Sequence, residues 1–113
     1  MNVAIIGGQP QHLNILDKEL MGLIEESGHY LFNVTGGYIG PNDGKPTLGQ
    51  IWASFRGLPY YTKDYRNLDD MMHKVSESAD YIVFMNDGSQ IIKRFIMTYK
   101  QTGKHGSVIN ING

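Results

Sequence analysis

Short apolar runs alternate along the chain with stretches in which apolar residues recur every three or four positions. The runs at residues 2–6, 30–34 and 81–85 have the length and composition of strands that are buried on both faces. Between the first two runs, residues 10–27 show the spacing of an amphipathic helix with polar residues on its outer side. The pattern therefore predicts a strand, a helix and a second strand in succession.

The same alternation continues to the end of the chain. Thr47 and Gln50 have the spacing of a capping box before a second helix, and Asn67 can cap a third. Trp52 and Phe55 lie on the apolar stripe of the second helix, so we expect both in the core. The remaining predicted elements are a fourth helix over residues 90–101 and strands over residues 58–62 and 107–111. Pro59 places residues 58–62 at an edge of the sheet.

This order of elements predicts an α/β fold, a Rossmann-like three-layer sandwich with helices on both faces of a mainly parallel sheet. We expect five strands in the order 3-2-1-4-5. No linker, repeat or low-complexity segment interrupts the pattern. Residues 1–113 are therefore predicted to form one domain.

Composition limits the classes of function. An apolar content of 41% and a charged content of 19% are typical of a soluble globular protein. No apolar run reaches the roughly 18–20 residues of a membrane span, and the N-terminus lacks the basic flank of a signal peptide. With no cysteine, we expect a cytoplasmic protein. The net charge of −1 does not favour a nucleic-acid partner, and no metal or cofactor is predicted.

Three glycine-containing segments follow predicted strands. In a doubly wound sheet they meet at the carboxyl ends of the strands, where the strand order reverses. Glycine lets backbone N–H groups approach an anion, and a helix N-terminus adds partial positive charge. The segments therefore predict a phosphate site, with Tyr38 suited to stacking on a base. The candidate binding residues are Gly7, Gly8, Gln9, Thr35, Gly36, Gly37, Tyr38, Thr47, Asp87, Gly88 and Ser89.

Two common phosphate motifs are excluded. The segment after the first strand lacks the third glycine of the G-x-G-x-x-G dinucleotide fingerprint. Residues 40–47 resemble a P-loop, but the spacing between Gly40 and Gly44 is too short and Pro46 separates Lys45 from Thr47.

The chain resembles the SLOG superfamily, which includes the DNA-processing Smf/DprA proteins and the LOG-type nucleoside monophosphate phosphoribohydrolases. The similar residues are Ile5-Ile6-Gly7-Gly8, Val34-Thr35-Gly36-Gly37, the helix start Thr47-Leu48-Gly49, and the run from Ala79 to Ser89. The resemblance implies a small Rossmannoid nucleotide-binding domain, of a kind found in bacteria and phages.

One departure from that family bears on catalysis. LOG-type hydrolases have a P-G-G-x-G-T-x-x-E motif after the fourth strand, whereas residues 86–93 contain no glutamate. Cleavage of an N-glycosidic bond needs a carboxylate, and Asp87 is the candidate catalytic residue in this segment. An aspartate before a glycine is also typical of a turn.

Three hypotheses follow. Because the glutamate is missing, we prefer a nucleotide-binding module that senses or sequesters a nucleotide or an ADP-ribose-like molecule. The alternatives are a hydrolase or transferase that cleaves the N-glycosidic bond of nucleotides, and a protein-interaction module without a ligand. We expect a homo-oligomer, because so small a sheet leaves apolar helix faces exposed.

Overall fold

The computed structural model, described for residues 2–27, 33–37, 46–61 and 65–111, contains a sheet of four parallel strands. The strands are β1 (Asn2–Ile6), β2 (Asn33–Gly37), β3 (Tyr81–Asn86) and β4 (His105–Asn110). They lie in the order β2-β1-β3-β4, and every pair of neighbours is parallel. The predicted α/β class with a parallel sheet is confirmed.

Helices cover both faces of this sheet. They are α1 (Leu13–Ser27), α2 (Leu48–Arg56), α3 (Leu68–Ser78) and α4 (Gln90–Lys100), with a short 3-10 helix (Pro10–His12) before α1. Helices α1 and α2 pack on one face, and α3 and α4 pack on the other. The side chains of Thr47, Asn67 and Ser89 each accept a hydrogen bond from the backbone N–H three residues later, which caps α2, α3 and α4.

The central strand β1 is buried from both sides. Val3 and Ile5 pack with α1 and α2, whereas Ala4 and Ile6 pack with α3 and α4. None of the four side chains is exposed to solvent. Because both faces are covered, the strand has no polar alternation, and its continuous apolar run is the signal that predicts it.

Helix α2 confirms one predicted core residue and corrects another. Trp52 is fully buried, but Phe55 is 59% exposed. The buried arc of α2 is formed by Leu48, Gly49, Trp52 and Ala53. Phe55 lies off this arc, with the Arg56 guanidinium 5.1 Å from the centre of its ring.

Two predicted strands differ from the structure. The second strand is Asn33–Gly37 rather than residues 30–34, of which residues 30–32 lie outside the described residues. Within residues 58–61 there is only an isolated bridge residue, Tyr60, and Thr62 lies outside the described residues. The Leu58 N–H donates to Ala53 O (2.8 Å) in the left-handed cap of α2, and Pro59 has no N–H. A fifth strand is therefore not confirmed.

A charged contact fixes α1 against α2. The Asp17 carboxylate accepts hydrogen bonds from Trp52 Nε1 (2.9 Å) and from Arg56 Nε (2.7 Å) and Nη2 (2.6 Å). The Asp17 side chain is 20% exposed. The Arg56 guanidinium beside it lowers the pKa of Asp17. The Arg56 guanidinium is thus paired within the protein, with Asp17 of α1.

We predict that Asp17→Ala lowers the free energy of unfolding by about 1–3 kcal/mol, because the buried Trp52 indole loses this acceptor. Arg56→Ala should cost less, since it leaves that acceptor in place. Because the folded pKa of Asp17 is lowered, its stabilisation is present above its unfolded pKa of about 3.9 and is lost as the pH falls through the folded pKa. Urea unfolding of both variants between pH 2 and pH 7 measures this. Equal costs for the two variants, or an Asp17→Ala deficit that is the same at pH 2 as at pH 7, would contradict it.

Candidate functional site

The candidate site is expected at the carboxyl ends of β1 and β3, where the chain leaves the two strands toward opposite faces of the sheet. Strand β1 is paired with β2 on one side and with β3 on the other, and Ile6 is level with both Gly37 and Phe84. After β1 the chain enters α1 on one face, and after β3 it enters α4 on the opposite face. In doubly wound sheets the crevice that receives ligands is expected at such a divergence, which here lies beyond the ends of β1 and β3.

The segment after β1 makes a close contact across this crevice. Gly7 and Gly8 have φ angles of 81° and 87°, in the region that favours glycine. A Cβ on Gly8 would lie 2.6 Å from Leu48 Cδ2 and 3.0 Å from Met85 Cγ. Gly8 is therefore pressed between the start of α2 and the end of β3. Internal packing is by itself a sufficient reason for glycine here.

The backbone of Gln9 holds the side chain of His12. The Gln9 N–H donates to His12 Nδ1 (2.9 Å). A neutral His12 that accepts at Nδ1 must hold its proton on Nε2, so it presents a donor there. His12 is half-buried at the start of α1. That His12 accepts a hydrogen bond from the Gln9 backbone follows from the geometry of this turn and not from the residue types.

The side chains of Asn86 and Asp87, at the end of β3, accept hydrogen bonds from backbone N–H groups of the turn that follows. Asn86 Oδ1 accepts from the Gly88 N–H (3.0 Å), and Asp87 Oδ1 accepts from the Ser89 N–H (2.8 Å). Asn86 is held in turn by Asn110 Oδ1, which accepts from Asn86 Nδ2 at 2.9 Å. The amides of Gly88 and Ser89, which were predicted to bind a phosphate, are thus engaged in two turns. Asn110 was not predicted to take part.

Asp87 is exposed at this turn. Its pKa is lowered, first by the hydrogen bond from the Ser89 backbone and then by one from the Ser89 side chain. The carboxylate is therefore ionised at neutral pH and can only accept hydrogen bonds. An ionised carboxylate repels a phosphate and suits a hydroxyl donor.

The remaining candidate residues are distributed around β2 and α2. Thr35, Gly36 and Gly37 belong to β2, paired with Ala4, Ile5 and Ile6, and are not a loop beyond the strand. Tyr38 lies outside the described residues. The half-buried Thr47 hydroxyl caps α2 by accepting from the Gln50 N–H (3.1 Å) and lies 2.7 Å from the Tyr60 hydroxyl. Thr47 therefore joins the start of α2 to residue 60.

Comparisons with known proteins identify no relative: no protein-family model, no curated protein sequence and no solved structure matches the chain. The resemblance to the SLOG superfamily stays a prediction.

The part of the chain that the structure describes lacks two further features. Its residues include no group of three or more His, Cys, Asp or Glu side chains placed to hold a metal ion. None of the helices formed by these residues combines the length and apolar character needed to span a bilayer.

We predict that Gly8→Ala destabilises the protein more than Gly57→Ala. Both glycines have positive φ, but a Cβ on Gly57 (φ 69°) meets nothing within 4 Å. The control substitution should cost about 1 kcal/mol from backbone strain alone, and Gly8→Ala should cost at least about 1 kcal/mol more from overpacking. Thermal and urea unfolding of the two variants measure the difference. Equal costs would show that Gly8 is not held between Leu48 and Met85.

We also predict an acid-shifted titration for Asp87. Carboxyl-carbon NMR between pH 2 and pH 6 should give a pKa below the ordinary value of about 3.9. Ser89→Ala should raise this pKa, because it removes the hydroxyl while the Ser89 backbone donor stays. An Asp87 pKa at or above 3.9 in the native protein would contradict the turn geometry.

Proposed function

We propose that the chain binds a nucleotide or a nucleotide-derived small molecule in the crevice beyond the ends of β1 and β3, and that it senses or sequesters this molecule. One observation supports this most: the positive-φ turn Gly7–Gly8 and the exposed, ionised Asp87 lie at the ends of the two central strands. Ligands of doubly wound sheets bind at this position. A glycine turn on one side and a carboxylate on the other match a ligand that has a phosphate at one end and hydroxyls at the other.

Charge determines the direction in which such a ligand lies. Asp87 repels phosphate, and the amides of Gly88 and Ser89 already have acceptors. In the proposal Asp87 therefore accepts hydrogen bonds from ribose hydroxyls, a role that acidic residues have in dinucleotide-binding folds. The phosphate lies on the opposite side, near Gly8 and the start of α2, where the helix dipole favours an anion.

Three finer predictions belong to the same proposal. Tyr38 is the proposed stacking partner of the base, and the chain is placed in the SLOG superfamily as a cytoplasmic, homo-oligomeric member. The proposed sheet has five strands, and residues near the bridge at Tyr60 form the outer strand beyond β2. Numbered along the chain with that strand included, the order is 3-2-1-4-5. Asp87 as the catalytic residue of an N-glycosidic hydrolase is the second candidate. The lowered pKa favours it only as a nucleophile or a stabiliser of positive charge, since an ionised carboxylate cannot donate a proton.

The test is thermal unfolding against mononucleotides, dinucleotides, cyclic nucleotides, ADP-ribose and inorganic pyrophosphate. A ligand at about 100 times its dissociation constant should stabilise the fold by about 2.7 kcal/mol. For a ribose-containing ligand, Asp87→Asn should weaken binding about tenfold or more, because it removes a charged acceptor. Asparagine can still accept from the Ser89 N–H, so the turn itself is retained.

A matched control removes a carboxylate near the amino ends of the strands, at the opposite end of the sheet from the crevice. Glu77 is exposed near the end of α3, four residues before β3 begins. Glu77→Gln should leave the ligand affinity unchanged. Pyrophosphate should bind Asp87→Asn at least as well as the native chain, because a repulsive charge is removed.

The outcomes separate the hypotheses. Binding with intact ligand, as judged by chromatography after incubation, supports a binding module. Cleavage that Asp87→Asn abolishes supports the hydrolase. No stabilisation by any compound at about 1 mM would count against a nucleotide site of useful affinity and favour an interaction module without a ligand.

A further inference from the structure

Helix α1 presents a second surface, away from the crevice and from α2. Ile15 is 50% exposed, and Lys18 and Glu19 are exposed one turn later. A Cβ on Gly22 would meet nothing within 4 Å. These four residues line an open groove of about 430 Å³, together with Leu23 and Tyr81. We call this surface the α1 face.

The four residues of the α1 face have helical spacing. Ile15, Lys18, Glu19 and Gly22 stand at positions i, i+3, i+4 and i+7, so their side chains project from one side of α1. The face therefore offers an apolar projection at one end, a depression at the other, and two opposite charges between them. Neither Lys18 nor Glu19 forms an ion pair with another described residue.

This arrangement is complementary to itself when the helix direction is reversed. A two-fold axis between residues 18 and 19 places Ile15 of one copy opposite Gly22 of the other, because the two positions are equally far from the axis. The same axis places Lys18 opposite Glu19 of the other copy, and it does so twice. An isologous contact needs this kind of self-complementary surface.

We propose that the α1 face is a dimer interface, in which α1 packs antiparallel against α1 of a second copy of this chain. The Ile15 side chain fills the space above Gly22 of the partner copy, since glycine lets the two helices approach closely. Two Lys18–Glu19 ion pairs fix the register of the antiparallel helices. A parallel pairing is disfavoured because it would place Lys18 opposite Lys18 and Glu19 opposite Glu19. This interface is independent of the proposed nucleotide site.

Sedimentation velocity over a series of concentrations tests the proposal through the charges. The native chain should dimerise with a dissociation constant on the order of 10 μM, as expected for a small interface. K18E and E19K each replace attraction with repulsion at both pairs, and should weaken dimerisation about tenfold or more. The double variant K18E/E19K exchanges the charges and should restore it.

A mixture of the two single variants gives the most specific result. One copy then has two acidic residues at the axis and the other has two basic residues, so the mixture should form heterodimers although each variant alone does not. K93E, an exposed charge reversal on α4, is the control and should dimerise like the native chain. G22Q tests the steric part; its side chain enters open space, so the monomer should fold, and dimerisation should be lost.

Circular dichroism and thermal unfolding check that each variant is folded. Rescue in the double variant and in the mixture would establish the antiparallel register. A native chain that stays monomeric at about 1 mM would overturn the proposal. A dimer that K18E and E19K leave unchanged would overturn it as well, because its interface would lie elsewhere.

Discussion

The close approach of Gly8 to Leu48 and Met85 is the contact on which the crevice depends. It brings together the segment after β1, the start of α2 and the end of β3, three parts of the chain that are far apart in sequence. The contact is possible because Gly8 combines a positive φ with the absence of a Cβ. Burial of β1 on both faces fixes the strand from which this turn emerges. The position of the crevice therefore follows from packing, before any ligand is considered.

The side chains after β3 determine the chemistry of that crevice. Asn86 and Asp87 use their oxygens to hold the Gly88 and Ser89 amides, so the turn does not offer those donors to an anion. The exposed carboxylate of Asp87 makes this side of the crevice an acceptor. In the proposal the negative charge of the ligand lies on the other side, near the turn of Gly8 and the start of α2. A ligand with hydroxyls and a phosphate at opposite ends satisfies both sides.

The sequence predicted the fold class well because its signals are local and strong. β1 and β3 are continuous apolar runs, and Thr47 and Asn67 are good helix caps, so the elements and layers follow from spacing alone. The strand predicted over residues 58–62 is not confirmed: the Leu58 N–H closes the cap of α2, a competition that periodicity does not show. Gly36 and Gly37 were predicted in a loop because clustered glycines after an apolar run are typical of loops, yet they pair with β1.

The residue types predict a position for the candidate site, but they do not give the hydrogen bonds that decide its chemistry. Glycine content indicated the crevice, whereas the direction of hydrogen bonds decides what can bind there. Gly88 and Ser89 were assigned to a phosphate on composition, but the turn hydrogen bonds occupy both amides and make Asp87 an ionised acceptor. His12 is held by the hydrogen bond that its Nδ1 accepts from the Gln9 backbone N–H. Such contacts depend on the local backbone conformation, which the residue types alone do not specify.

A nucleotide site in this crevice is tested by amide NMR of the labelled protein during titration with AMP and ADP-ribose. Such a site predicts concentration-dependent shifts of the Gly8, Gln9 and Ser89 amides, with the Gly22 amide on the far side of α1 unchanged. Shifts confined to residues away from the ends of β1 and β3, or none at about 1 mM ligand, would contradict a nucleotide site in this crevice.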